Sequence, residues 1–200
     1  MMCAPFDAGH TMMRMGTGPA NLLAHGLIDR LEQSGCRTEL VEIAPPVGDW
    51  CSELRTGFAV QRAVRVATAD AVSAGAFPVL LSGDCNTSVG VIAGLQAGGV
   101  DPGFVWCDAH ADFHTPATDR FGSLDCQGLA MLAGRAWREL VRQMGLRPLR
   151  DSRVVLVGAR SVDRDEFGRS APGTVLGLQN AMEKSLKSVA EMIGKARAHE

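Results

Sequence analysis

One stretch carries most of the information about the fold: Phe104-Val105-Trp106-Cys107-Asp108-Ala109-His110-Ala111-Asp112. Its first four residues are apolar and predict a buried strand. Alternate side chains of an extended backbone point the same way, so we expect Asp108, His110 and Asp112 to project together past that strand. Carboxylate and imidazole donors in this arrangement suit a divalent cation. The alternative is a solvated turn, in which Asp and His are also common.

The composition indicates a globular protein that acts on neither nucleic acid nor membrane. The chain has 200 residues, 46% of them hydrophobic, and a formal net charge of -2. This length fits one domain with a sizeable core, and the absence of a basic tract argues against anionic partners. The apolar run at residues 77–81 is far shorter than the ~20 residues of a membrane helix.

The N-terminal residues and the cysteines indicate the cellular compartment of the protein. Pro5, Asp7 and Gly9 interrupt the region where a signal peptide needs an unbroken apolar segment, so export is not expected. The six cysteines include no Cys-x-x-Cys pair, which favours reduced thiols over a disulfide framework. We therefore expect a cytoplasmic protein.

Strands and helices alternate along the chain. Strands are predicted at residues 1–7, 39–43, 77–81, 104–107, 153–157 and 174–178, and the run 77–81 is typical of a central, buried strand. Helices are predicted at residues 19–31, 57–74, 89–95, 129–144 and 182–196. Asn86 or Thr87 is expected to cap the third of these helices.

This alternation predicts an α/β fold with a mostly parallel sheet. Functional sites in such sheets form beyond the carboxyl ends of the strands. Polar runs follow Leu81, Cys107 and Val157. We therefore expect three strand ends to present polar side chains at one edge of the sheet.

Four motifs occur in a defined order: residues 5–9 with residues 14–19, then Ser82-Gly83-Asp84-Cys85, residues 108–112, and Val157-Gly158-Ala159-Arg160. With these motifs the chain resembles the arginase (ureohydrolase) family, which includes arginases, agmatinases and formimidoylglutamases. The resemblance implies one three-layer α/β/α domain over residues 1–200. It also implies two bound manganese ions, a small-molecule substrate and possible homo-oligomers.

The activity implied by this resemblance is hydrolysis of a C–N bond in a linear amidine or guanidino compound. Two neighbouring cations can lower the pKa of a bridging water towards neutrality and polarise the substrate. A nearby acid or base then transfers a proton to the leaving amine.

The metal ligands implied by the resemblance are Asp108, His110, Asp112 and Cys85. Cys85 occupies the position at which most of the family has a ligating histidine. A thiolate is a softer ligand and would favour zinc or iron over manganese. Cys85 could equally be a small buried hydrophobe at a strand end. Asp84 is expected to fix its turn rather than to bind metal.

Three further residues take expected roles from the family loop. His114 stands where arginases use an asparagine to bind the substrate carboxylate, and Asp125 stands where they carry a proton-transferring histidine. Either residue could move the proton, and His114 could also be a plain loop histidine. Asp163 matches an acidic position that contacts the substrate amino group, or it is a carboxylate at a helix N-terminus.

The last metal-ligand motif of the family, an Asp-x-Asp pair on a later strand, has no counterpart that we accept in this sequence. Residues 161–165 have a similar spacing, but they follow the strand that precedes the substrate loop. We therefore expect a truncated ureohydrolase domain that holds one metal ion or none. The alternative function is a catalytically inactive remnant or binding module with the same fold.

Overall fold

The computed structural model describes residues 1–44 and 52–167. These residues form two compact units. The first unit comprises Met1–Val100 and Ser123–Asp125, and the second comprises Asp101–Gly122 and the residues from Cys126 onward. The strand at residues 174–178 and the helix at residues 182–196 that the sequence predicts lie outside the described residues.

The first unit combines parallel strands with helices. Its elements are β1 (Met2–Ala4), β2 (Phe6–Asp7), β3 (His10–Thr11), α1 (Gly18–Ala24), α2 (Leu27–Gln33), β4 (Val41–Glu42), α3 (Glu53–Ser73), β5 (Leu80–Ser82) and α4 (Ser88–Ala97). The strands β4, β1 and β5 form a parallel sheet in that order, and β2 pairs with β3 in an antiparallel hairpin. β1 is thus central in its sheet.

Helix α3 provides the main packing surface of the first unit. It begins after Ser52, whose hydroxyl accepts a hydrogen bond from the Arg55 backbone N–H. Val60 and Val64 on this helix pack in the core with Met2 and Ile43. Because these apolar residues recur at helical spacing, one face of α3 is buried.

The second unit is built on one pair of parallel strands. Its elements are β6 (Phe104–Cys107), α5 (Gly128–Leu132), α6 (Arg138–Gln143), β7 (Val154–Val157) and α7 (Arg164–Phe167). β6 and β7 pair in register from Phe104 opposite Val154 to Cys107 opposite Val157. Leu129, Met131 and Leu156 are fully buried in this unit.

The predicted α/β class with parallel strands is confirmed, but two predicted helices are interrupted. The helix expected at residues 19–31 is divided into α1 and α2 at Gly26, which has φ 80°. The helix expected at residues 129–144 is divided into α5 and α6, and Gly134 and Trp137 between them have φ 69° and 48°. Apolar spacing identifies the buried face of a helix, but it does not reveal a left-handed residue within that face.

The burial predicted for two strands is wrong in part. Phe77 was expected in a central strand, but it precedes β5 and is 87% exposed. β6 is a strand as predicted, but Val105 and Cys107 are exposed while Trp106 is buried. Side chains alternate between the two faces of a strand, so an apolar run can still leave one face exposed.

The predicted side-chain cap of α4 is also wrong. Thr87 makes no capping hydrogen bond, and its hydroxyl lies 2.9 Å from the Ser82 hydroxyl instead. The Asn86 amide oxygen accepts a hydrogen bond from the buried Gln61 side chain. Both side chains therefore stabilise packing between elements rather than the end of the helix.

Helices α3 and α4 pack closely because glycines lie at their contact. A Cβ atom added at Gly90 would overlap the Gln61 carbonyl oxygen, and one added at Gly94 would lie 2.5 Å from the Thr68 Cβ atom. The two helix backbones can approach only where a side chain is missing.

We predict that Gly90→Ala lowers the free energy of unfolding by about 1–3 kcal/mol, the usual range for overpacking a core. Gly18→Ala is the matched control, because a Cβ atom at Gly18 meets nothing within 4 Å. Urea unfolding followed by circular dichroism measures both effects. Equal midpoints for the two variants would show that the contact between α3 and α4 tolerates the added methyl group.

Candidate metal and catalytic site

The segment after β6 is held in place by hydrogen bonds from its own unit. The Asp108 N–H donates to the Val157 carbonyl oxygen, which extends the pairing of β6 with β7 by one residue. The Asp108 carboxylate accepts a hydrogen bond of 2.8 Å from the His110 backbone N–H, and the His110 Nδ1 atom lies 3.3 Å from the same oxygen. The His110 side chain is 64% exposed.

Asp112 ends this segment in an unusual conformation. It has φ 48°, in the left-handed region, and it is buried. Its carbonyl oxygen accepts hydrogen bonds from the Leu129 and Ala130 N–H groups at the start of α5. The extended alternation expected through Asp112 is therefore wrong at this residue. A left-handed non-glycine residue costs energy and occurs often at functional sites.

Asp108 and Asp112 nonetheless lie together. Each offers a carboxylate oxygen within 4.8 Å of the other. Bonds from oxygen to a divalent cation are about 2.0–2.6 Å long, so both carboxylates can reach one ion at this spacing. Oxygen donors suit manganese, magnesium or calcium. The residues present therefore fit a metal ion of the kind that the sequence predicts.

His114, two residues further on, is buried. Its Nδ1 atom lies 3.3 Å from the Thr118 hydroxyl, and its Nε2 atom lies 3.9 Å from the Asp163 carboxylate and 4.0 Å from the Glu166 carboxylate. The Asp163 side chain is 67% exposed. The second unit thus brings together His114 and Asp163, the two residues expected to contact substrate.

Glu166 is a residue of this cluster that sequence reasoning missed. Its buried carboxylate accepts hydrogen bonds from the backbone N–H groups of Phe113 and Asp163. An acid three residues after Asp163 resembles the capping-box pattern, and that pattern could have identified it. Because Phe113 follows Asp112, Glu166 also fixes the backbone next to a candidate metal ligand.

The first unit holds the other motif residues. The Asp125 carboxylate accepts hydrogen bonds from the backbone N–H groups of Cys85 and Asn86, at the start of the turn that leads into α4. Cys85 is half-buried and is not part of a disulfide. The Asp84 carboxylate accepts a hydrogen bond from the Ala8 N–H and so links the loops of two motifs.

The glycine-rich turn of the first motif serves close packing. A Cβ atom at Gly83 would lie 2.5 Å from the Gly16 nitrogen, and one at Gly16 would lie 3.0 Å from the Pro5 carbonyl oxygen. Asp7 fixes this turn through an ion pair with Arg14 and a hydrogen bond from the Met15 N–H. Glycine is needed at both positions because neighbouring backbone atoms pass too close for a Cβ atom.

Asp84 sits in an unfavourable electrostatic environment. Its burial and the neighbouring Asp125 carboxylate raise the pKa of Asp84 from 3.8 to about 7. Asp7 and Glu53 add repulsion in the same direction, while the Ala8 hydrogen bond opposes it. Ionised Asp84 therefore destabilises the metal-free fold near neutral pH.

The fold and these clusters define an α/β protein with polar side chains beyond the ends of parallel strands, where ligands bind in open α/β sheets. The family model described as the arginase family matches residues 1–199, and the chain belongs to that family. Within the described ranges, no helix is long and apolar enough to cross a membrane.

Relatives and solved structures agree with this assignment. The chain is 32% identical to the arginase of Bacillus caldovelox over 174 residues, which is 81% of this chain and 58% of that protein. It is 33% identical to mitochondrial arginase-2 of Oryctolagus cuniculus over 177 residues, which is 82% of this chain and 49% of that protein. The chain spans about half the length of the curated relatives it matches.

The native structure of the Bacillus caldovelox arginase superposes with a TM-score of 0.85 at 25% identity and covers 100% of this chain and 71% of that one. A Bacillus cereus arginase structure superposes with a TM-score of 0.84 at 25% identity, and the match covers 99% of this chain and 70% of that one. The fold is therefore the arginase-like α/β fold that the sequence predicts.

We predict that Asp84→Asn stabilises the metal-free protein, and more so at high pH. A carboxyl group whose pKa is raised in the folded state does not lower the stability below pH 4, where it is protonated in both states. Its destabilisation of the fold grows between pH 4 and 7 and stays constant above pH 7. At about 1.4 kcal/mol per pKa unit the gain at pH 8 is at most roughly 4 kcal/mol. Melting temperatures of the wild type and of Asp84→Asn, recorded in EDTA from pH 4.5 to 8, measure this gain in stability. An equal shift at every pH, as expected for the exposed control Asp29→Asn, would contradict the prediction.

Proposed function

We propose that this chain is a metal-dependent hydrolase of the arginase, agmatinase or formimidoylglutamase type. The observation that carries the proposal is the pair of carboxylates on Asp108 and Asp112, whose oxygens lie within 4.8 Å in a chain of the arginase family. The substrate is a small linear amidine or guanidino compound.

The proposed metal ligands are Asp108 and Asp112, with His110 and Cys85 as further ligands by their positions in the family motifs. A manganese ion held by these residues would supply Lewis acidity, which could activate water and polarise the substrate. Asp108 already accepts the His110 N–H, which orients its carboxylate before any ion binds. If the Cys85 thiolate is a ligand, it would shift the metal preference of the site towards zinc or iron.

The proposed substrate contacts are His114 and Asp163. The exposed Asp163 carboxylate suits a cationic amine or guanidinium, since both carry N–H donors and positive charge. His114 is held between Thr118 on one ring nitrogen and two carboxylates near the other, so its ring is oriented. Asp125 or His114 is the proposed group for proton transfer.

One observation favours the second candidate function, a non-catalytic binding module. Both proposed proton-transfer residues already make structural contacts: Asp125 accepts backbone N–H groups at the start of α4, and His114 is buried. A module of this kind would bind a metal ion without hydrolysing any substrate.

The test measures metal content and turnover on the same full-length preparation. Elemental analysis after incubation with Mn²⁺, and urea or ammonia release from arginine, agmatine, guanidino acids and formimidoylglutamate, distinguish the candidates. Metal with turnover supports the hydrolase, and metal without turnover supports the binding module. Absence of both would contradict each proposal.

We predict that Asp112→Asn lowers Mn²⁺ affinity by at least about tenfold, because a carboxylate contributes charge that an amide lacks. The control is Asp29→Asn on α2, an exposed carboxylate outside the motifs. Isothermal titration calorimetry on both variants gives the affinities. Unchanged Mn²⁺ affinity in Asp112→Asn would remove Asp112 from the ligand set.

We also predict that Cys85 governs which metal binds. Replacement of a thiolate by an imidazole makes the site harder, so Cys85→His should raise the affinity for Mn²⁺ relative to Zn²⁺. Competition between the two metals, followed by elemental analysis, measures the ratio. Cys36→His, at an exposed cysteine, is the control. The same metal ratio in Cys85→His and in the control would place Cys85 among structural cysteines.

A further inference from the structure

A groove of about 670 Å³ lies on the first unit, and none of its lining residues is assigned above to metal or substrate. Val41 and Ile43 line it from the β4 segment, and Ala63, Ala67 and Ala71 line it from α3. Small side chains on α3 leave the groove open, so a ligand with bulky apolar groups is needed to fill it.

Strand β4 presents a free edge beside this groove. The N–H groups of Val41 and Ile43 donate to the carbonyl oxygens of Met1 and Cys3 at 2.8 Å. Successive residues of a strand direct their backbone groups to opposite sides, so the N–H and C=O groups of Glu42 face away from β1. Among the described residues no strand pairs with β4 on that side. An unpaired edge of this kind can accept a further strand.

Large apolar side chains are exposed around the groove. Phe77 is 87% exposed, Val66 is 52% exposed and Val41 is 40% exposed, and all three line the groove. A cluster of exposed apolar residues next to a free strand edge is typical of a protein-binding surface.

The charge of the groove indicates what binds there. Glu39, Glu42 and Asp70 line it, and none of the three forms an ion pair with another described residue. The Met1 ammonium donates to the Glu39 carbonyl oxygen and offsets one of these charges. The net charge of the groove remains negative, so it complements a basic ligand.

We propose that the groove binds an extended peptide segment of a partner protein, which adds to β4 as an edge strand. Main-chain bonds to Glu42 would supply affinity, and alternate side chains would supply specificity. One face of the added strand carries bulky apolar residues over the α3 alanines, and lysine or arginine residues meet the three carboxylates. A second copy of β4 would bring Glu42 against Glu42, and like charges opposite each other are destabilising.

The test uses the full chain and a fluorescein-labelled peptide that alternates valine with lysine or arginine. We expect micromolar binding by fluorescence anisotropy, weakened several-fold between 50 and 500 mM NaCl because exposed charges are screened. Glu42→Lys should reduce affinity at least tenfold. Glu32→Lys, which makes the same charge change at an exposed position on α2, should leave affinity within twofold of the wild type.

Two further variants separate charge from strand pairing. Glu42→Gln removes the charge and keeps the outward N–H, while Glu42→Pro removes both, and proline is tolerated on an edge strand where its nitrogen faces away from the sheet. We expect Glu42→Pro to bind the peptide more weakly than Glu42→Gln. Circular dichroism identifies any variant that fails to fold. If Glu42→Pro fails to fold, Ala67→Phe, whose side chain fills the groove, is compared with Glu42→Gln in its place.

Three results would overturn the proposal: no binding by the wild type, equal loss in Glu32→Lys and Glu42→Lys, or equal affinities of Glu42→Gln and Glu42→Pro. A self-association detected by light scattering and abolished by Glu42→Pro would assign the edge to a second copy instead. Asp108→Asn should bind the peptide as the wild type does, so this result is independent of the metal site.

Discussion

The parallel pairing of β6 with β7 is the interaction on which the candidate site depends. It continues beyond both strands, because the Asp108 N–H bonds to Val157 and the Arg160 and Ser161 N–H groups bond to the Ala109 carbonyl oxygen. Gly158 has φ 85°, and a Cβ atom added to it would lie 3.3 Å from the Asp108 carbonyl oxygen. Two of the family motifs are thus one hydrogen-bonded structure, and backbone hydrogen bonds hold the segment that carries the carboxylate pair.

At the end of this structure, hydrogen bonds hold Asp112 in a strained backbone conformation. Asp112 adopts a left-handed conformation that costs energy for a residue with a Cβ atom. Hydrogen bonds to its carbonyl oxygen from α5 and the bond from Phe113 to buried Glu166 hold it there. The same turn brings the Asp112 carboxylate within 4.8 Å of Asp108. A bound cation would offset this concentration of negative charge.

Much of the fold could be predicted because apolar runs and their periods indicate strands and helices, although they overestimated the burial of Phe77 and β6. The strands at residues 104–107 and 154–157 and the long helix α3 followed from such patterns. The breaks at Gly26 and Trp137 could not be predicted, since a left-handed residue leaves no mark on hydrophobic spacing. Strand alternation predicted that Asp108, His110 and Asp112 project together. The structure brings the carboxylates of Asp108 and Asp112 within 4.8 Å of each other through a turn at Asp112, while the His110 side chain is 64% exposed. The spacing of Asp163 and Glu166 indicates a capping box, but the bond from the Phe113 backbone N–H to Glu166 leaves no mark in the sequence.

The most direct measurement is anomalous scattering from a crystal of the full chain grown with Mn²⁺. We expect a manganese peak bonded to carboxylate oxygens of both Asp108 and Asp112, at distances between about 2.0 and 2.6 Å. A manganese peak bonded to neither carboxylate, or no peak at a saturating Mn²⁺ concentration, would contradict this expectation.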